Sequence, residues 1–346
     1  MYGAMFAHTA TRRGKSCLVV EREDHIGGFC HSEEQHGIHV HCHGAHIFRT
    51  NSKSAWDFVN SICEFEPFIN TPIARYQDEV YNLPFNMNTF AKMFHVALPY
   101  EAEQKIKRSI VPCDDPKNLE EFALSVVGRH IYEKLIKHYT EKQWGKPCTE
   151  LPVSTMARIP IRMTYDNNYY REKYQGIPKD GYDAFISGLL KGSDVILKYD
   201  WKDINDISVD MCDKIVYTGP IDKFCRYRFG ELEWRSVKFD HKWLPRADNF
   251  QGVAVMNYTD DRPYTRSIEH KHFLHTQCPG TIVSFEYPCP TDGNEAPSYP
   301  ILTERNKELY KRYKEYAADH YPNVIFGGRL GEYRYYSMNE IVEKFV

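Results

Sequence analysis

The spacing of hydrophobic and polar positions divides the chain into predicted helices and strands. The apolar run over 16–21 ends on Glu21 and predicts a buried strand, preceded by the end of a helix over 3–13. Residues Ile38-His39-Val40-His41 alternate with a period of two, as a half-buried strand does. The same signals predict a helix over 52–62, a hairpin over 72–83 with its turn at 78–79, a helical stretch from 86 to about 143 with a break near 112–116, strands and turns over 150–300, a charged helix over 303–321, a buried strand over 324–328 and a helix from about 338.

The strand that ends on Glu21 predicts a nucleotide-binding α/β fold. A carboxylate at such a strand end can accept hydrogen bonds from both ribose hydroxyls, and Gly27-Gly28 then lets the backbone approach a cofactor. In this unit a first strand and a G-x-G-x-x-G turn precede the helix, and Gly3 can be only the last glycine of that turn. We therefore expect a Rossmann-like domain whose first strand is missing. Strands over 194–197 and 214–218 are predicted to return to the same sheet.

The amino-acid composition limits the classes of protein and ligand that fit this sequence. The 44 Lys and Arg nearly balance the 47 Asp and Glu, which argues against a nucleic-acid binder. No apolar run approaches the length of a membrane span, and no signal-peptide pattern opens the chain, so we expect no membrane association. Ten cysteines without a C-x-x-C pair are typical of reduced thiols in a cytoplasmic protein. The 25 tyrosines favour a polar ligand held by stacking and hydrogen bonds.

Histidines cluster in the segment HVHCHGAHIF. Alternate residues of a strand share a face, so His39, His41 and His43 could converge on a metal. Because Cys42 lies on the opposite face and no carboxylate accompanies these histidines, no metal is expected. His46 follows Gly44-Ala45 and is the histidine expected to touch a ligand, although a hydrogen-bonded core histidine is the alternative.

Arginine and aromatic residues recur together in three further segments. Trp144 stands beside a glycine and suits base stacking, and Arg158 can clamp a phosphate. Arg235, Asn257 and Arg266 lie in strand-like segments rich in tyrosine. An aromatic core flanked by solvated arginines explains the Trp144–Arg158 segment equally well. Ser337 and Glu340 predict a capping box, whose helix N-terminus would suit an anionic flavin carbonyl.

Nine blocks along the chain resemble the bacterial type of UDP-galactopyranose mutase. The resemblance is nearly collinear and spans almost all of the chain. The blocks are IGGFCHS, HGAHIFRTNSK, YNLPFNMNTF, YTEKQWG, RIPIRMTYDNNYY, YQGIPKDGY, YTGPIDKF, PYTRSIEHKHF and GGRLGEYRYYSM.

The resemblance implies a fold of three parts. An FAD-binding Rossmann-like domain would comprise residues 1–66, 180–225 and 303–346. A helical insertion domain with a mobile substrate loop would occupy 86–145. An antiparallel β-sheet domain would take 67–85, 146–179 and 226–302. A homodimer is expected from the same resemblance.

The implied activity interconverts UDP-galactose between its pyranose and furanose forms with reduced FAD. In this family N5 of the flavin attacks the sugar's anomeric carbon, so the catalysis is covalent and transfers no net electrons. The resemblance implies catalytic roles for Arg158, Arg266 and His46. The implied substrate-binding residues are Asn86, Tyr139, Trp144, Tyr169, Arg235, Asn257, Tyr299 and Tyr335, and the implied cofactor-binding residues are Gly3, Glu21, Gly27, Gly28, His46, Gly328, Arg329, Ser337 and Met338.

Three departures from the family pattern leave alternatives open. The family's first strand and first two fingerprint glycines have no counterpart, the last helix is short, and Ser337 stands in place of a family Asp. The loss of that strand and its amides is expected to weaken FAD binding. A member that binds UDP-sugar without turnover is therefore the first alternative, and a flavin oxidoreductase the second.

Overall fold

The structure, a computed structural model, describes residues 1–156, 161–200, 212–291 and 296–346. The strands in these ranges are β1 (Leu18–Val20), β2 (Ser32–Gln35), β3 (Ile38–His41), β4 (Phe48–Thr50), β5 (Phe65–Pro67), β6 (Ile73–Tyr76), β7 (Glu79–Asn82), β8 (Tyr174–Pro178), β9 (Asp194–Ile196), β10 (Ile215–Tyr217), β11 (Trp234–Leu244), β12 (Val255–Tyr258), β13 (Arg266–Glu269), β14 (Thr281–Pro290), β15 (Tyr299–Pro300) and β16 (Val324–Phe326). The α-helices are α1 (Tyr2–Arg12), α2 (Lys53–Ile62), α3 (Met87–Phe94), α4 (Pro99–Ser109), α5 (Leu119–Val126), α6 (Gly128–Ile131), α7 (His138–Trp144), α8 (Gly181–Leu190), α9 (Ile221–Phe224), α10 (Glu304–His320), α11 (Gly328–Gly331) and α12 (Met338–Phe345). Among the described residues, no helix combines the length and apolar character that a bilayer crossing requires.

The chain divides into two compact units. The first unit comprises Met1–Phe68, Glu172–Ser236 and Thr291–Val346, and the second comprises Ile69–Arg171 and Val237–Pro290. The three segments predicted for the FAD-binding domain lie within the three segments of the first unit. The predicted division of the remainder into a helical domain and a sheet domain stays a prediction.

Two parallel strand pairs form the part of the first unit that the sequence predicts to bind a nucleotide. β1 pairs with β9, as predicted for the strand over 194–197. β10 pairs with β16 in a separate parallel pair, so the prediction that the strand over 214–218 joins the sheet of β1 is wrong for the described residues. The prediction that the strand before Glu21 is buried is wrong, because Leu18 is 46% exposed and β1 pairs only with β9 among the described residues. The prediction of a buried strand after 324 is also wrong, since β16 is half-buried along its length.

Helices pack on these strands with their apolar faces. The short α12 buries Ile341 and Val342 and packs against α1 and β4, which supplies the packing that a two-turn helix needs. The helix α8 was not predicted. Its buried residues Tyr182, Phe185, Ile186 and Leu189 recur at helical spacing, so the segment carries a helical period that the prediction of strands and turns over 150–300 did not use.

The second unit combines a twisted sheet with a helical core. Its strands follow the order β11-β14-β13-β12-β6-β7, and the hairpin predicted over 72–83 is β6–β7. β12–β13 and β13–β14 are antiparallel, whereas β12 pairs with β6 in parallel. The predicted helical stretch is divided into α3–α7, with Asn118 capping α5 as its sequence indicates. These helices bury a core that includes Phe85, Phe90 and Leu119.

Candidate functional site

Glu21 is held at the carboxyl end of β1 by its own turn. Its backbone N–H donates to the Ile196 carbonyl at 2.9 Å, which continues the β1–β9 ladder by one residue. Its Oε1 accepts the Glu23 N–H at 3.0 Å. The carboxylate is therefore oriented at the strand end, the position at which a dinucleotide-binding fold holds a ribose.

The loop that follows Glu21 contains two glycines in left-handed conformations. Gly27 has φ 98° and Gly28 has φ 55°, a region that side chains rarely adopt. A Cβ on Gly27 would lie 3.2 Å from the His31 nitrogen, whereas a Cβ on Gly28 would meet no atom within 4 Å. The side of Gly28 on which a Cβ would lie is therefore open, which fits the close approach of a flat ligand such as a flavin.

The other candidate glycines have different roles. Gly3 lies in α1, where an added Cβ would make an ordinary 3.6 Å contact with Thr218, so glycine is not sterically required there. Gly327 has no such room, because a Cβ would lie 2.0 Å from the Tyr2 ring. Gly328 has φ 75° at the start of α11. The glycine pair therefore accommodates the Tyr2 ring in this structure.

His46 is a half-buried, neutral imidazole. Its Nδ1 lies 2.7 Å from the Gly44 carbonyl oxygen, and because a carbonyl can only accept, Nδ1 carries the hydrogen. Burial lowers the pKa of His46 to about 4, and the charge of Arg329 acts in the same direction. His46 therefore offers Nε2 as a hydrogen-bond acceptor at neutral pH and is poorly suited to carrying a proton.

Arg329, a residue of α11, lies among tyrosine side chains from other segments. Its guanidinium carbon is 4.8 Å from the Tyr335 ring centre and 5.4 Å from the Tyr299 ring centre. Its terminal N–H groups donate to the carbonyl oxygens of Ser298 (2.9 Å) and Tyr336 (3.2 Å). The two tyrosine rings are nearly parallel, at 6.2 Å. The structure thus brings three sequence-predicted residues into one aromatic and cationic cluster.

Arg235 and the start of α12 complete the candidates of the first unit. Arg235 is buried in β11 directly opposite Tyr299 of β15. Met338 is the first residue of α12, as predicted. The Ser337 N–H donates to Glu340 at 2.8 Å, which confirms half of the predicted capping box, and the Ser337 hydroxyl also donates to Glu340 at 2.6 Å. This hydroxyl is therefore directed at Glu340.

A charged network in the second unit centres on Arg266. Its Nε donates to Asn257 Oδ1 at 3.2 Å, its Nη1 to Glu286 Oε2 at 3.2 Å, and its Nη2 to the Tyr139 hydroxyl oxygen at 3.0 Å. Sheet register explains two of these contacts, because both Asn257 and Glu286 stand directly opposite Arg266 on neighbouring strands. The structure thus joins three sequence-predicted residues, Arg266, Asn257 and Tyr139.

The electrostatics of this network suit a polar ligand. The Arg266 side chain is 27% exposed, whereas its partner Glu286 is 3% exposed. Burial raises the pKa of Tyr139, and the charge of Arg266 opposes that rise. Since the Tyr139 oxygen accepts from Arg266, its hydrogen can be donated outward. The formal charges of Arg266 and Glu286 cancel, so a phosphate clamp needs a further cation; the predicted one, Arg158, lies outside the described residues.

Lys142 connects α7 to the loop that precedes Arg266. Its ammonium lies within hydrogen-bond distance of four carbonyl oxygens, those of Tyr258, Asp260 and Arg262 at 2.9 Å and that of Tyr264 at 3.1 Å, which share its three N–H donors. Burial lowers the pKa of Lys142 to about 8. One side chain therefore fixes the whole loop 258–264 against the helix that carries Tyr139.

Two aromatic candidates lie at the edge of the helical core. Trp144 is the last residue of α7, before Gly145 in a left-handed conformation with φ 66°, and it is half-buried against the core. The backbone N–H of Tyr169 donates to the Asn70 carbonyl oxygen at 2.9 Å, and the Tyr169 ring contacts the Tyr170 ring edge to face. Both rings keep part of their surface exposed, as a stacking role requires.

Asn86 has a different environment. It is completely buried and caps α3, accepting from Asn88 N (2.9 Å) and Thr89 N (3.3 Å). Its amide nitrogen donates to the Asp166 carbonyl (2.8 Å) and to Asn167 Oδ1 (2.7 Å). These four bonds use the full capacity of the side chain. Its predicted substrate role would therefore act through the 166–167 loop that it holds.

Sequence reasoning missed two residues that organise this region. Lys142 stands in the block YTEKQWG, but its four carbonyl partners lie at least 116 residues downstream. The pairing of Glu286 with Arg266 follows only from the register of β13 and β14, which places the two residues opposite each other. No local pattern marks this glutamate, because β14 mixes apolar residues with Thr281, Ser284 and Glu286.

Comparisons with known proteins agree with this architecture. The family model for UDP-galactopyranose mutase matches residues 134–335, and one for an NAD(P)-binding Rossmann-like domain matches residues 1–62. The chain is 33% identical to a dTDP-fucopyranose mutase of Escherichia coli, over 99% of this chain and 94% of that protein. It is 35% identical to a Klebsiella pneumoniae protein named "Probable UDP-galactopyranose mutase", over 97% and 88%. A crystal structure of reduced UDP-galactopyranose mutase has the same fold, with a TM-score of 0.73 at 13% identity over 99% of this chain and 92% of that one.

Proposed function

Because the chain belongs to the UDP-galactopyranose mutase family, we propose that it interconverts UDP-galactopyranose and UDP-galactofuranose. The protein is an isomerase of nucleotide sugars, and FAD is the cofactor of its family. The resemblance found in the sequence blocks and the α/β fold expected from it are both confirmed. We further propose that it acts as a homodimer, from the resemblance, and in the cytoplasm, from the ten cysteines without a C-x-x-C pair.

The network around Arg266 is the observation that carries this proposal. A guanidinium bonded to a tyrosine hydroxyl and an asparagine suits the diphosphate of a nucleotide sugar, because all three groups supply or orient donors for phosphate oxygens. The positive charge of Arg266 would stabilise the nucleotide as a leaving group when the glycosidic bond breaks. Arg158 would supply the second charge that the Arg266–Glu286 pair lacks.

The first unit would hold the FAD. Gly28 offers an open backbone surface, Glu21 a carboxylate for the ribose, and His46 a neutral acceptor. When bound and reduced, the flavin supplies an electron-rich nucleophile for the sugar carbon. Arg329, fixed by two carbonyls among tyrosines, would keep a positive charge beside the cofactor without competing as a proton donor.

A direct assay tests the proposal. The full chain is first loaded with FAD and its flavin content measured, because a chain without flavin would match the binding-only alternative. Dithionite-reduced protein is then incubated with UDP-galactofuranose, and nucleotide sugars are separated by chromatography. We expect conversion to UDP-galactopyranose that depends on reduction. A fully loaded and reduced chain that leaves the substrate unchanged would contradict the proposal.

A second candidate substrate is dTDP-fucopyranose, since a mutase named for it covers almost the whole chain. Fucose lacks the 6-hydroxyl of galactose, and a site that hydrogen-bonds this group rejects the deoxy sugar by about 10⁴-fold. Assays of UDP-galactopyranose and dTDP-fucopyranose, together with UDP-fucopyranose and dTDP-galactopyranose, show separately which sugar and which nucleotide the protein prefers. A higher kcat/KM for dTDP-fucopyranose would move the assignment to that substrate and leave the mutase reaction unchanged.

A further inference from the structure

The β2–β3 hairpin gathers three potential metal ligands on one face. His31 stands just before β2, and its carbonyl accepts the Cys42 N–H at 3.2 Å, which adds one rung to the hairpin beyond the pair Ser32–His41. Residues opposite each other in a hairpin share a face, and so do residues two apart on one strand. His31, Glu33 and Cys42 therefore project together, and one ligand atom of each lies within 4.8 Å of the other two.

His31 is oriented by a carboxylate behind it. Its Nδ1 lies 2.8 Å from Asp183 Oδ2, and the same carboxylate accepts the Ser32 N–H through Oδ1 at 3.0 Å. The ring of His25 stacks on His31 at 3.6 Å and fixes its plane. A buried imidazole whose rear nitrogen donates to a carboxylate is the arrangement that orients histidine ligands in metal sites.

A second carboxylate faces His31 at its other nitrogen. Nε2 lies 3.2 Å from Glu33 Oε1, so each ring nitrogen faces a carboxylate oxygen. A metal ion bound at Nε2 would therefore also be within reach of the Glu33 carboxylate.

Cys42 adds a third ligand atom beside this pair. Its Sγ makes a weak 3.6 Å hydrogen bond to the Val40 carbonyl and lies beside the His31–Glu33 pair. A thiolate, an imidazole and a carboxylate together form a three-protein-ligand set for zinc, with a fourth position open to water, and they neutralise the charge of Zn²⁺.

We propose that His31, Glu33 and Cys42 bind a divalent transition metal ion, with Zn²⁺ as the best match, and that Asp183 positions His31 from behind. The site lies beyond the proposed mutase reaction and does not depend on it. It also revises the expectation of no metal: Cys42 does lie on the face opposite His39 and His41, but that face is shared with His31 and Glu33 of the neighbouring strand.

Zinc binding to the full chain tests the site without an activity assay. The protein is dialysed against a chelator, Zn²⁺ alone is added, and stoichiometry and affinity are measured by mass spectrometry and chelator competition. We expect one Zn²⁺ per chain, an affinity at least 100-fold lower in His31→Gln and Cys42→Ser, and 10–100-fold lower in Asp183→Asn. Cys63→Ser removes a half-buried thiol from the same unit and is expected to bind as the unchanged protein does.

A second measurement avoids the question of whether the variants fold. In the unchanged protein, Zn²⁺ should slow alkylation of Cys42 and leave that of Cys63 as it was. Cobalt should show the visible bands of a tetrahedral thiolate complex, lost in Cys42→Ser and kept in Cys63→Ser. Absence of stoichiometric zinc, or zinc bound equally well by folded Cys42→Ser, would overturn the proposal in favour of an imidazolium held by two carboxylates.

Discussion

The two units build their candidate residues by opposite means. In the first unit the candidate residues are a glycine and an uncharged histidine: Gly28 has no side chain and leaves open space, and the His46 imidazole offers a lone pair. In the second unit the site is defined by charge, because Arg266 is bonded to Tyr139, Asn257 and the buried Glu286. The proposed function therefore implies that backbone conformation limits cofactor binding in the first unit, whereas side-chain pairing limits substrate chemistry in the second. Substitutions should therefore affect flavin content in one unit and turnover in the other.

Removing the charge of Arg266 should have the largest effect. We expect Arg266→Ala to lower kcat by about 10²–10³-fold, as for the loss of one preorganised donor at a developing charge. The free energy of unfolding should also fall by about 3 kcal/mol, because Glu286 is then buried without its cation. FAD content should stay unchanged. Steady-state rates, urea unfolding and the flavin absorbance measure the three quantities.

A second substitution separates the two effects of Arg266→Ala. Glu286→Gln in the same chain removes the orphaned charge, so the free energy of unfolding should recover while kcat stays low. If kcat recovered with stability, the role of Arg266 would be structural. Near-normal turnover in Arg266→Ala alone would contradict its assignment to the diphosphate.

Adding a single methyl group at Gly28 should break the first unit's site. Gly28→Ala and Gly37→Ala both place an alanine at positive φ, 55° and 76°, and both added Cβ atoms meet no atom within 4 Å. Each should therefore cost about 1–2 kcal/mol of stability. Only Gly28→Ala should also weaken FAD binding, by about tenfold or more, measured by flavin titration of the apoprotein. Equal FAD affinity in the two variants would remove Gly28 from the flavin site.

Local signals made much of the fold predictable from sequence. The acid at the end of β1, the alternation in β3, the N-cap Asn118 and the Ser337 start of α12 each act over a few residues, and all are present. The helix α8 was missed although Tyr182, Phe185, Ile186 and Leu189 recur at helical spacing, because the whole segment over 150–300 was predicted as strands and turns. The burial of β1 was mispredicted because exposure depends on neighbouring strands that the sequence does not reveal.

The sequence predicted which residues belong to the candidate site, but not which of them contact each other. Arg266 and Tyr139 were identified from sequence blocks, but their contact joins residues 127 positions apart and follows from tertiary packing. Long-range partners such as Glu286 and the carbonyls around Lys142 leave no local pattern. The zinc ligand set was overlooked for the same reason, because the register of β2 against β3 places His31 beside Cys42.

Two lysines of the second unit have ammonium groups surrounded by backbone carbonyl oxygens, and comparing them separates positioning from stability. Lys142 donates to four carbonyls of the loop before Arg266, whereas Lys271 donates to the carbonyls of Asp248, Cys278 and Gly280 at 2.8–3.0 Å. Both Lys→Met variants should lose about 1–3 kcal/mol of stability, because buried carbonyls lose their donor. Only Lys142→Met should lower kcat/KM, by about tenfold. An equal kinetic loss in both variants would show that stability, and not positioning, explains it.

The smallest effect concerns the pH dependence that His46 contributes to stability. Its pKa falls from the ordinary value of 6.5 to about 4 on folding, chiefly through burial. Between these values the unfolded chain binds more protons than the folded chain, so this contribution to the free energy of unfolding rises with pH from 4 to 6.5 and is lost as the pH falls through that window. His46→Gln should therefore flatten the measured slope of unfolding free energy in this window and leave stability above it little changed. Because the imidazole is already neutral, His46 should add no inflection to the kcat profile between about pH 6 and 8. An unchanged slope in the variant would show that the pKa of His46 does not fall on folding, and burial would then not be what keeps this imidazole neutral.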